Sequence, residues 1–326
     1  MQRVLSGVQP SGDFHIGNYL GALRSWVQDQ DENDAFYCIV DLHALTSSPN
    51  PDELRSRTID AAINLLAVGL DPDRCTIFVQ SQVPEHTRLT WLLECVATMG
   101  ELGRMTQFKD KRDSSKSDRT SVGLFTYPVL QAADILLYNA NRVPVGEDQR
   151  QHLELARELA RRFNTRYSDI FVVPEASIPS RAARVMDLQY PERKMSKSIK
   201  SPLGTVAVLD RPSEIERKVK RAVTDSDTEV RYDPESKPGV SNLLELLGAA
   251  TGATPESIAS SYQSYGDLKS AVSEALIEML RPVQERHDDL SKDIGSVKAT
   301  LAKGNDAARA VAQRTYERAA QAVGLL

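Results

Sequence analysis

The chain opens with short apolar runs separated by stretches of helical period. Val4-Leu5, just ahead of Gly7, predicts a first strand, and Ile16 to Gln28 predicts the helix after a glycine-containing turn. Ala35 to Val40, Cys75 to Gln80 and Asp169 to Val173 are β-rich runs of strand length and predict further buried strands. Asn50-Pro51-Asp52-Glu53 combines an N-cap residue, a proline at the first helical position and acids in the first turn, so a helix should open there and end near Gly69. The clearest helix is Glu147 to Phe163. Leu153, Ala156, Leu159, Ala160 and Phe163 fall on one stripe, while Arg150, Glu154, Glu158, Arg161 and Arg162 fall on the wet face. Strand and helix in alternation imply an α/β fold, a Rossmann-like doubly wound and mostly parallel sheet.

Past Pro191 the rhythm changes. Strand-like runs shrink to Thr205 to Leu209, and helical stretches take over from Ser213. One starts at Thr254-Pro255-Glu256, another runs from Leu268 to Leu280, and an alanine-rich one runs from Asp306 to Val323. The pattern predicts a Rossmann-like domain over 1–190, with a connective insert around 81–140, and a mainly helical domain over 191–326. The last helix of the second domain can pack back on the first. A length of 326 residues fits two domains.

Composition then narrows the classes. With 41% hydrophobic and 26% charged residues the chain is an ordinary globular protein, neither disordered nor fibrous. Forty Lys and Arg against 45 Asp and Glu leave a net charge of −5, which excludes a uniformly basic coat. Any nucleic-acid contact must therefore be local. Two segments qualify: Arg104 to Arg119 holds six Lys and Arg against three Asp, and Arg211 to Arg221 holds five against two Glu. Cys38, Cys75 and Cys95 form no Cys-x-x-Cys or Cys/His cluster, which argues against structural zinc, an iron–sulfur cluster or a disulfide framework. No apolar run approaches a membrane span, and the first ten residues lack signal-peptide character, so a cytoplasmic location is expected.

Gly7-Val-Gln-Pro-Ser-Gly12-Asp-Phe-His15-Ile-Gly17-Asn18 lies between the first strand and the first helix, where a doubly wound sheet binds nucleotides. Its glycines let backbone approach a phosphate, and a helix N-terminus supplies free N–H groups; His15 and Asn18 can add side-chain donors. Read alone, the stretch fits a plain turn with a capping histidine equally well. Lys194-Met195-Ser196-Lys197-Ser198 carries two ammonium groups and, read alone, fits a solvated loop. In this order and context the two resemble the paired ATP-binding motifs of class I aminoacyl-tRNA synthetases. Four further stretches narrow the resemblance: the opening Ser6 to Gly12 with Gly17 to Ala22, Asp41 to Thr46, Ala132 to Leu136, and Gly146 to Gln149. They run in the order found in tryptophanyl-tRNA synthetases of the bacterial and organellar type. The likeness extends through Ala222 to Asp225 and Lys237 to Gly239, and so covers essentially the whole chain.

The resemblance implies amino-acid activation, in which a carboxylate attacks the α-phosphorus of ATP, pyrophosphate leaves, and the acyl group passes to tRNA(Trp). Such chemistry asks for positioning and for cations facing the phosphates. Lys194 and Lys197 suit that role, with Lys111 of the first basic segment beside them, and His15 and Asn18 complete the implied catalytic set. Gln9, Pro10, Ser11, Gly17 and Asn18 match the family's first ATP-binding segment. Gly146, Glu147 and Asp148 match its ribose and adenine region, Val185 lies at an adenine contact, and Met195, Ser196 and Ser198 belong to the lysine motif. Asp148 reads equally as an ordinary helix N-terminal acid.

Asp134 stands in an apolar segment, Val129 to Leu137, at a spacing that buries it, and a buried carboxylate needs a partner. In the family the matching Asp accepts the indole N–H of tryptophan, with His43, Tyr127 and Gln131 close to the ring. A pocket built around that bond would leave Asp134 unpaired with phenylalanine, a mismatch worth roughly 10⁴–10⁵ in discrimination. Three positions depart from the family: Gln131 stands where Met is frequent, Leu5 where Phe is frequent, and Ile199 where Asp is common. His86, His152 and His287 show no ligand spacing and are expected at the surface or in caps. Mg²⁺ is expected with ATP as substrate, without protein-held metal ligands or an organic cofactor. The implied partners are L-tryptophan, ATP, tRNA(Trp) and a second copy of the chain in a homodimer, with no membrane. The helical domain should read the anticodon through single-stranded base contacts, and no segment is large enough for an editing domain.

Overall fold

Residues 35–39 alternate strictly between two cores. In the computed structural model, which describes residues 1–12, 14–106, 121–144, 146, 149–177, 185–196 and 202–326, Ala35, Tyr37 and Ile39 join one hydrophobic cluster and Phe36 and Cys38 the other. Burial on both faces is what a parallel sheet requires. β1 (Arg3–Val8), β2 (Asp34–Ile39), β3 (Thr76–Val79), β4 (Arg142–Pro144) and β5 (Glu175–Ser177) pair in parallel in the order β3-β2-β1-β4-β5. Chain order reverses between β1 and β4, the place where a doubly wound sheet opens a crevice at its carboxyl edge.

The first three strands fall where the apolar runs predict them. Asp169 to Val173 is not a strand. Asn164 Oδ1 accepts the N–H groups of Ile170 and Phe171, Asn164 Nδ2 donates to the Phe171 carbonyl, and Asn139 Oδ1 accepts the Val172 N–H. With its backbone satisfied by asparagine side chains, this run needs no ladder, and pairing begins only at Glu175. β4, at three residues, is too short to show a period and has no counterpart in the sequence reading.

The helix after β1 consists of α1 (Ile16–Asn18), a π-helical turn (Tyr19–Leu23) and α2 (Arg24–Glu32). Then come α3 (Asp41–Ala44), α4 (Pro51–Ala67), α5 (Glu85–Glu94), α6 (Met99–Gly103), α7 (Val122–Leu137) and α8 (Arg150–Arg166). Asn50 caps α4 through its side-chain oxygen, and Gly69, at φ +110°, ends the turn beyond it. α8 starts later than the pattern predicts, at Arg150, but all five stripe residues are buried. The remainder is helical: α9 (Pro212–Lys220), α10 (Pro238–Thr251), α11 (Pro255–Ala259), α12 (Tyr265–Lys292) and α13 (Ile294–Ala322).

One face of the sheet is covered by α2, α4, α9, α10 and α12, the other by α5, α7 and α8. The strand-like run at Thr205–Leu209 spends its backbone on the entry to α1: the Ile16 N–H donates to the Val206 carbonyl and the Val208 N–H to the Phe14 carbonyl. Residues beyond 202 thus share a hydrophobic cluster with the sheet. α13 touches both faces. Val297 and Leu301 join the first cluster and Ala308, Ala312 and Ala319 the second, so this alanine-rich helix spans both. Between these two sets the helix runs along β3, where Asn305 Oδ1 accepts the Val79 N–H at 2.8 Å and covers an otherwise open strand edge.

Gly304 makes this approach possible, because a Cβ there would lie 1.9 Å from the Ile77 carbonyl oxygen. In a solvated helix Gly→Ala stabilises by up to about 1 kcal/mol. Here overpacking against backbone should reverse the sign, so Gly304→Ala should destabilise by about 1–3 kcal/mol. A lower urea midpoint at unchanged slope is the expected readout; a higher midpoint would show that α13 sits less tightly.

Candidate active site at the carboxyl edge of the sheet

The chain leaves β1 through Gln9, Pro10 and Ser11, with Pro10 buried and its two neighbours exposed. Gly12, at φ +97°, turns it toward α1. There His15 and Asn18 form a reciprocal capping box: His15 Nδ1 accepts the Asn18 N–H at 3.2 Å, and Asn18 Oδ1 accepts the His15 N–H at 3.2 Å. At these atoms the two side chains are acceptors that hold the helix start in place, which is the capping reading of His15. Gly17 is required by the crowding around it. A Cβ there would lie 2.9 Å from His15 Nδ1 and 3.7 Å from the Val185 Cβ.

Val185 therefore abuts the helix start, and the lysine motif starts beside it. The Met195 N–H donates to the Val185 carbonyl at 3.0 Å, and Met186 bridges Lys194 in antiparallel pairing. Met195 is buried in the first cluster, Ser196 is half-buried and Lys194 is exposed to solvent. Asp187, fully buried, anchors this turn by accepting the N–H groups of Gln189 and Tyr190. Gly146 is exposed beyond β4, and its carbonyl accepts the Gln149 N–H just before α8. Lys111, Glu147, Asp148, Lys197 and Ser198 lie outside the described residues, as does most of the Arg104–Arg119 segment.

The candidate tryptophan residues come together around one carboxylate. Tyr127, Gln131 and Asp134 share a face of α7, at i, i+4 and i+7. His43, from α3 after β2, places Nε2 2.8 Å from Asp134 Oδ2, and its ring stands edge-on to Tyr127 with centroids 6.2 Å apart. Gln80, after β3, donates through Nε2 to Asp134 Oδ1 at 2.7 Å while its Oε1 accepts the Leu42 N–H. His86, in the first turn of α5, places Nδ1 2.6 Å from the same Oδ1. Tyr127 meets His152 of α8, hydroxyl to Nε2 at 2.8 Å, and Gln131 donates to Gln149 at 3.3 Å. Burial alone would raise the Asp134 pKa. The hydrogen bonds from His43 and His86 outweigh it and hold the carboxyl well below the usual range, so it is an anion. Burial also pushes the Tyr127 phenol up to about 12.

Three expectations need correction. His86 and His152 are not surface residues: both are buried, each on the apolar stripe of its helix. The signal was present, since His86, Leu89 and Leu93, and likewise His152, Leu155 and Leu159, recur at helical spacing. Asp134 is not a lone acceptor awaiting a ligand. With three protein donors it stays paired whatever ring is bound, so discrimination against phenylalanine cannot rest on leaving it orphaned. Lys218 of the second basic segment is buried and ion-paired with Asp210 at 2.5 Å, so it offers no charge to a partner. Gln80, His86, Tyr138 and Gln149 were missed as members of the site. Among the described residues no cluster of three His, Cys, Asp or Glu is arranged to hold a metal ion.

The crevice and the two motifs beside it are the architecture of a class I synthetase, and the chain belongs to that family: the family model described as tRNA synthetases class I (W and Y) matches residues 1–281. Within it the similarity is to the tryptophanyl branch. The chain is 53% identical to tryptophan–tRNA ligase 2 of Streptomyces avermitilis over 99% of its own length and 97% of the relative's. To tryptophan–tRNA ligase 1 of Streptomyces coelicolor it is 54% identical, over 100% and 98%. Its fold matches tryptophanyl-tRNA synthetase from Mycoplasma pneumoniae with a TM-score of 0.91 at 36% identity, covering 100% of this chain and 98% of that one. The Campylobacter jejuni enzyme, solved with ADP and tryptophan, matches at 0.86 and 34%, covering 99% and 100%.

The capping box carries its own test. His15→Ala and Asn18→Ala should each cost about 1 kcal/mol of stability. The double variant should cost clearly less than their sum, because losing either bond frays the helix start that aligns the other. Strict additivity in urea unfolding would mean that the two side chains do not act as a pair.

Proposed function

We propose that the chain is a tryptophan–tRNA ligase, forming tryptophanyl-adenylate and pyrophosphate from L-tryptophan and ATP and then charging tRNA(Trp). The observation that carries the tryptophan half is Asp134, an ionised and buried carboxylate at the edge of the crevice. Its Oδ1 is occupied by two donors, and its Oδ2 by His43 alone among the described residues. A carboxylate oxygen can accept a second bond, and an indole N–H supplies one with no lone pair to repel. Tyr127, His43 and Gln131 surround that acceptor and would border the ring.

ATP occupies the crevice between β1 and β4. Gln9, Pro10, Ser11, Gly17 and Asn18 line the approach to the helix start, whose positive dipole end suits phosphate. Gly146, Glu147 and Asp148 take the ribose and adenine, and Val185 packs against the base. Lys194, Lys197 and Lys111 stabilise the charge that builds as pyrophosphate departs, with the buried Met195 and half-buried Ser196 at the base of the motif and Ser198 continuing it. His15 acts chiefly by fixing the helix start. Mg²⁺ enters with the nucleotide as part of the substrate, and the chain supplies no separate metal centre.

The helices beyond residue 202 read the anticodon end of the tRNA, and the work is done in the cytoplasm; no described helix is long and apolar enough to cross a membrane. The active form is a homodimer. Trp91, Met99 and Val122, large apolar residues on α5, α6 and at the start of α7, are 65%, 75% and 75% exposed, as a docking surface for a second copy would leave them. Sedimentation at micromolar concentration should give twice the chain mass, and Trp91→Glu should shift it toward the monomer; a wild-type monomer that charges tRNA would refute the dimer.

ATP–pyrophosphate exchange across the twenty amino acids tests the whole reading. Tryptophan alone should drive exchange, and stimulation by tyrosine without tryptophan would overturn it. Asp134→Ala removes a charge-assisted bond and should raise the tryptophan KM by about 10–100-fold. Lys194→Ala should slow exchange at saturation and leave the tryptophan KM within about twofold, because its charge is used in the transition state.

A further inference from the structure

Behind Asp134 lies a second layer of buried side chains. His86 is completely buried, with one ring nitrogen on Asp134 Oδ1 at 2.6 Å and the other, Nε2, 2.9 Å from the hydroxyl of Tyr138. Tyr138, also completely buried, directly follows α7, four residues beyond Asp134, and its ring packs on Phe36 of β2 and Phe78 of β3, with centroids 5.0 and 5.3 Å apart. The line Tyr138–His86–Asp134 thus runs from the middle of the sheet to the edge of the crevice, and Tyr138 and His86 both pack on Phe78.

The direction of the hydrogen bonds follows from chemistry. Asp134 is an anion, so the nitrogen facing it carries a proton. When the imidazole is neutral it has one N–H, and Nε2 is then the acceptor for the phenolic O–H. The Tyr138 hydroxyl keeps that proton: burial, then the nearby Cys38, Asp134 and Glu85, push its pKa well above the ordinary value. Tyr138 therefore selects the His86 tautomer, and His86 turns its only N–H to Asp134. Gln80 is oriented similarly, since its Oε1 is held by the Leu42 N–H and its amide must point Nε2 at Oδ1. Two donors on Oδ1 pin the carboxylate plane and leave the open lone pair on Oδ2, the oxygen that His43 approaches from the crevice.

The geometry points to His86, with its tautomer set by Tyr138, as a positioning residue for tryptophan selection: it holds Asp134 so that Oδ2 meets an N–H on the bound ring. This inference rests on the reading of Asp134 as the indole acceptor. Tryptophan binding should depend on the chain Tyr138–His86–Asp134, whereas binding of ATP should not. Phenylalanine, which has no N–H for Oδ2, should be nearly indifferent to it, so loss of His86 lowers the preference for tryptophan over phenylalanine by the same factor by which it weakens tryptophan.

Pyrophosphate exchange on the full-length protein tests this with four variants. His86→Leu should raise the tryptophan KM by about tenfold or more, leaving the ATP KM and the saturated rate within about threefold. His86→Asn, whose amide can donate from nearly the place of Nδ1, should recover most of that loss. Tyr138→Phe removes only the hydroxyl and should raise the tryptophan KM by about threefold or more, which keeps the test decisive if His86→Leu does not fold. An unchanged tryptophan KM in Tyr138→Phe and in whichever His86 variants fold overturns the proposal, as does an equal loss in both KM values and the rate. Asp134→Ala separates the two levels. If it leaves the tryptophan KM unchanged, the indole reading falls and this inference with it; if it raises that KM while the His86 and Tyr138 variants do not, only the positioning role falls.

Discussion

Taking one carboxylate out of water constrains the whole carboxyl edge of this sheet. An ion buried in that way costs several kcal/mol unless donors meet it from more than one direction. Asp134 is met from three: the short helix after β2, the turn after β3, and the start of α5. None of these connections could move outward without stranding the charge. The loops that carry His43 and Gln80 are therefore held as closely as core elements, although a loop at a sheet edge ordinarily has freedom. Gln80 adds a further tie by bonding Leu42, so the connections after β2 and β3 fix each other as well as the acid.

The side of the crevice next to β1 is built by a different device. There the constraint is closeness of backbone, maintained by glycine and by a box of two side chains, with the buried Asp187 holding the turn before the lysine motif. A Cβ at Gly17 would press on the His15 ring at 2.9 Å and reach contact with Val185 at 3.7 Å. The chain near Val185 is itself tied to the base of the lysine motif by the Met195 N–H. The base of the lysine motif is thus fixed to a residue that abuts the helix start.

How much of this could be read from residues alone depended on whether the signal was local. β1, β2 and β3 were legible because each is an apolar run bounded by turn residues, and α4 because Asn50, Pro51 and the acids after them mark its start. β4 was invisible: three residues give no period, and only its neighbours on either side make it a strand. Asp169 to Val173 was misread because its β-like composition says nothing of Asn139 and Asn164, whose side chains satisfy its backbone. The burial of Asp134 was legible from its apolar surroundings, yet its partners were not, since Gln80 and His86 are 54 and 48 positions away. Lys218 shows the converse. A count of charges along Arg211–Arg221 treats it as available, whereas Asp210 has already neutralised it. The pairing of glycine and lysine motifs was legible because it rests on order along the chain, which needs no coordinates.

The helix that closes the edge of β3 gives the molecule a history as well as a shape. Val79 and the residue that satisfies its N–H are 226 positions apart. On a ribosome adding roughly 5–20 residues per second, β3 waits on the order of tens of seconds for Asn305 to emerge. During that interval the nascent sheet presents an unpaired parallel edge, the kind of surface onto which a strand of another chain can add. The nascent protein is thus most open to misassembly through an edge that is closed in the finished fold, and Gly304 and Asn305 guard the chain's birth as much as its stability.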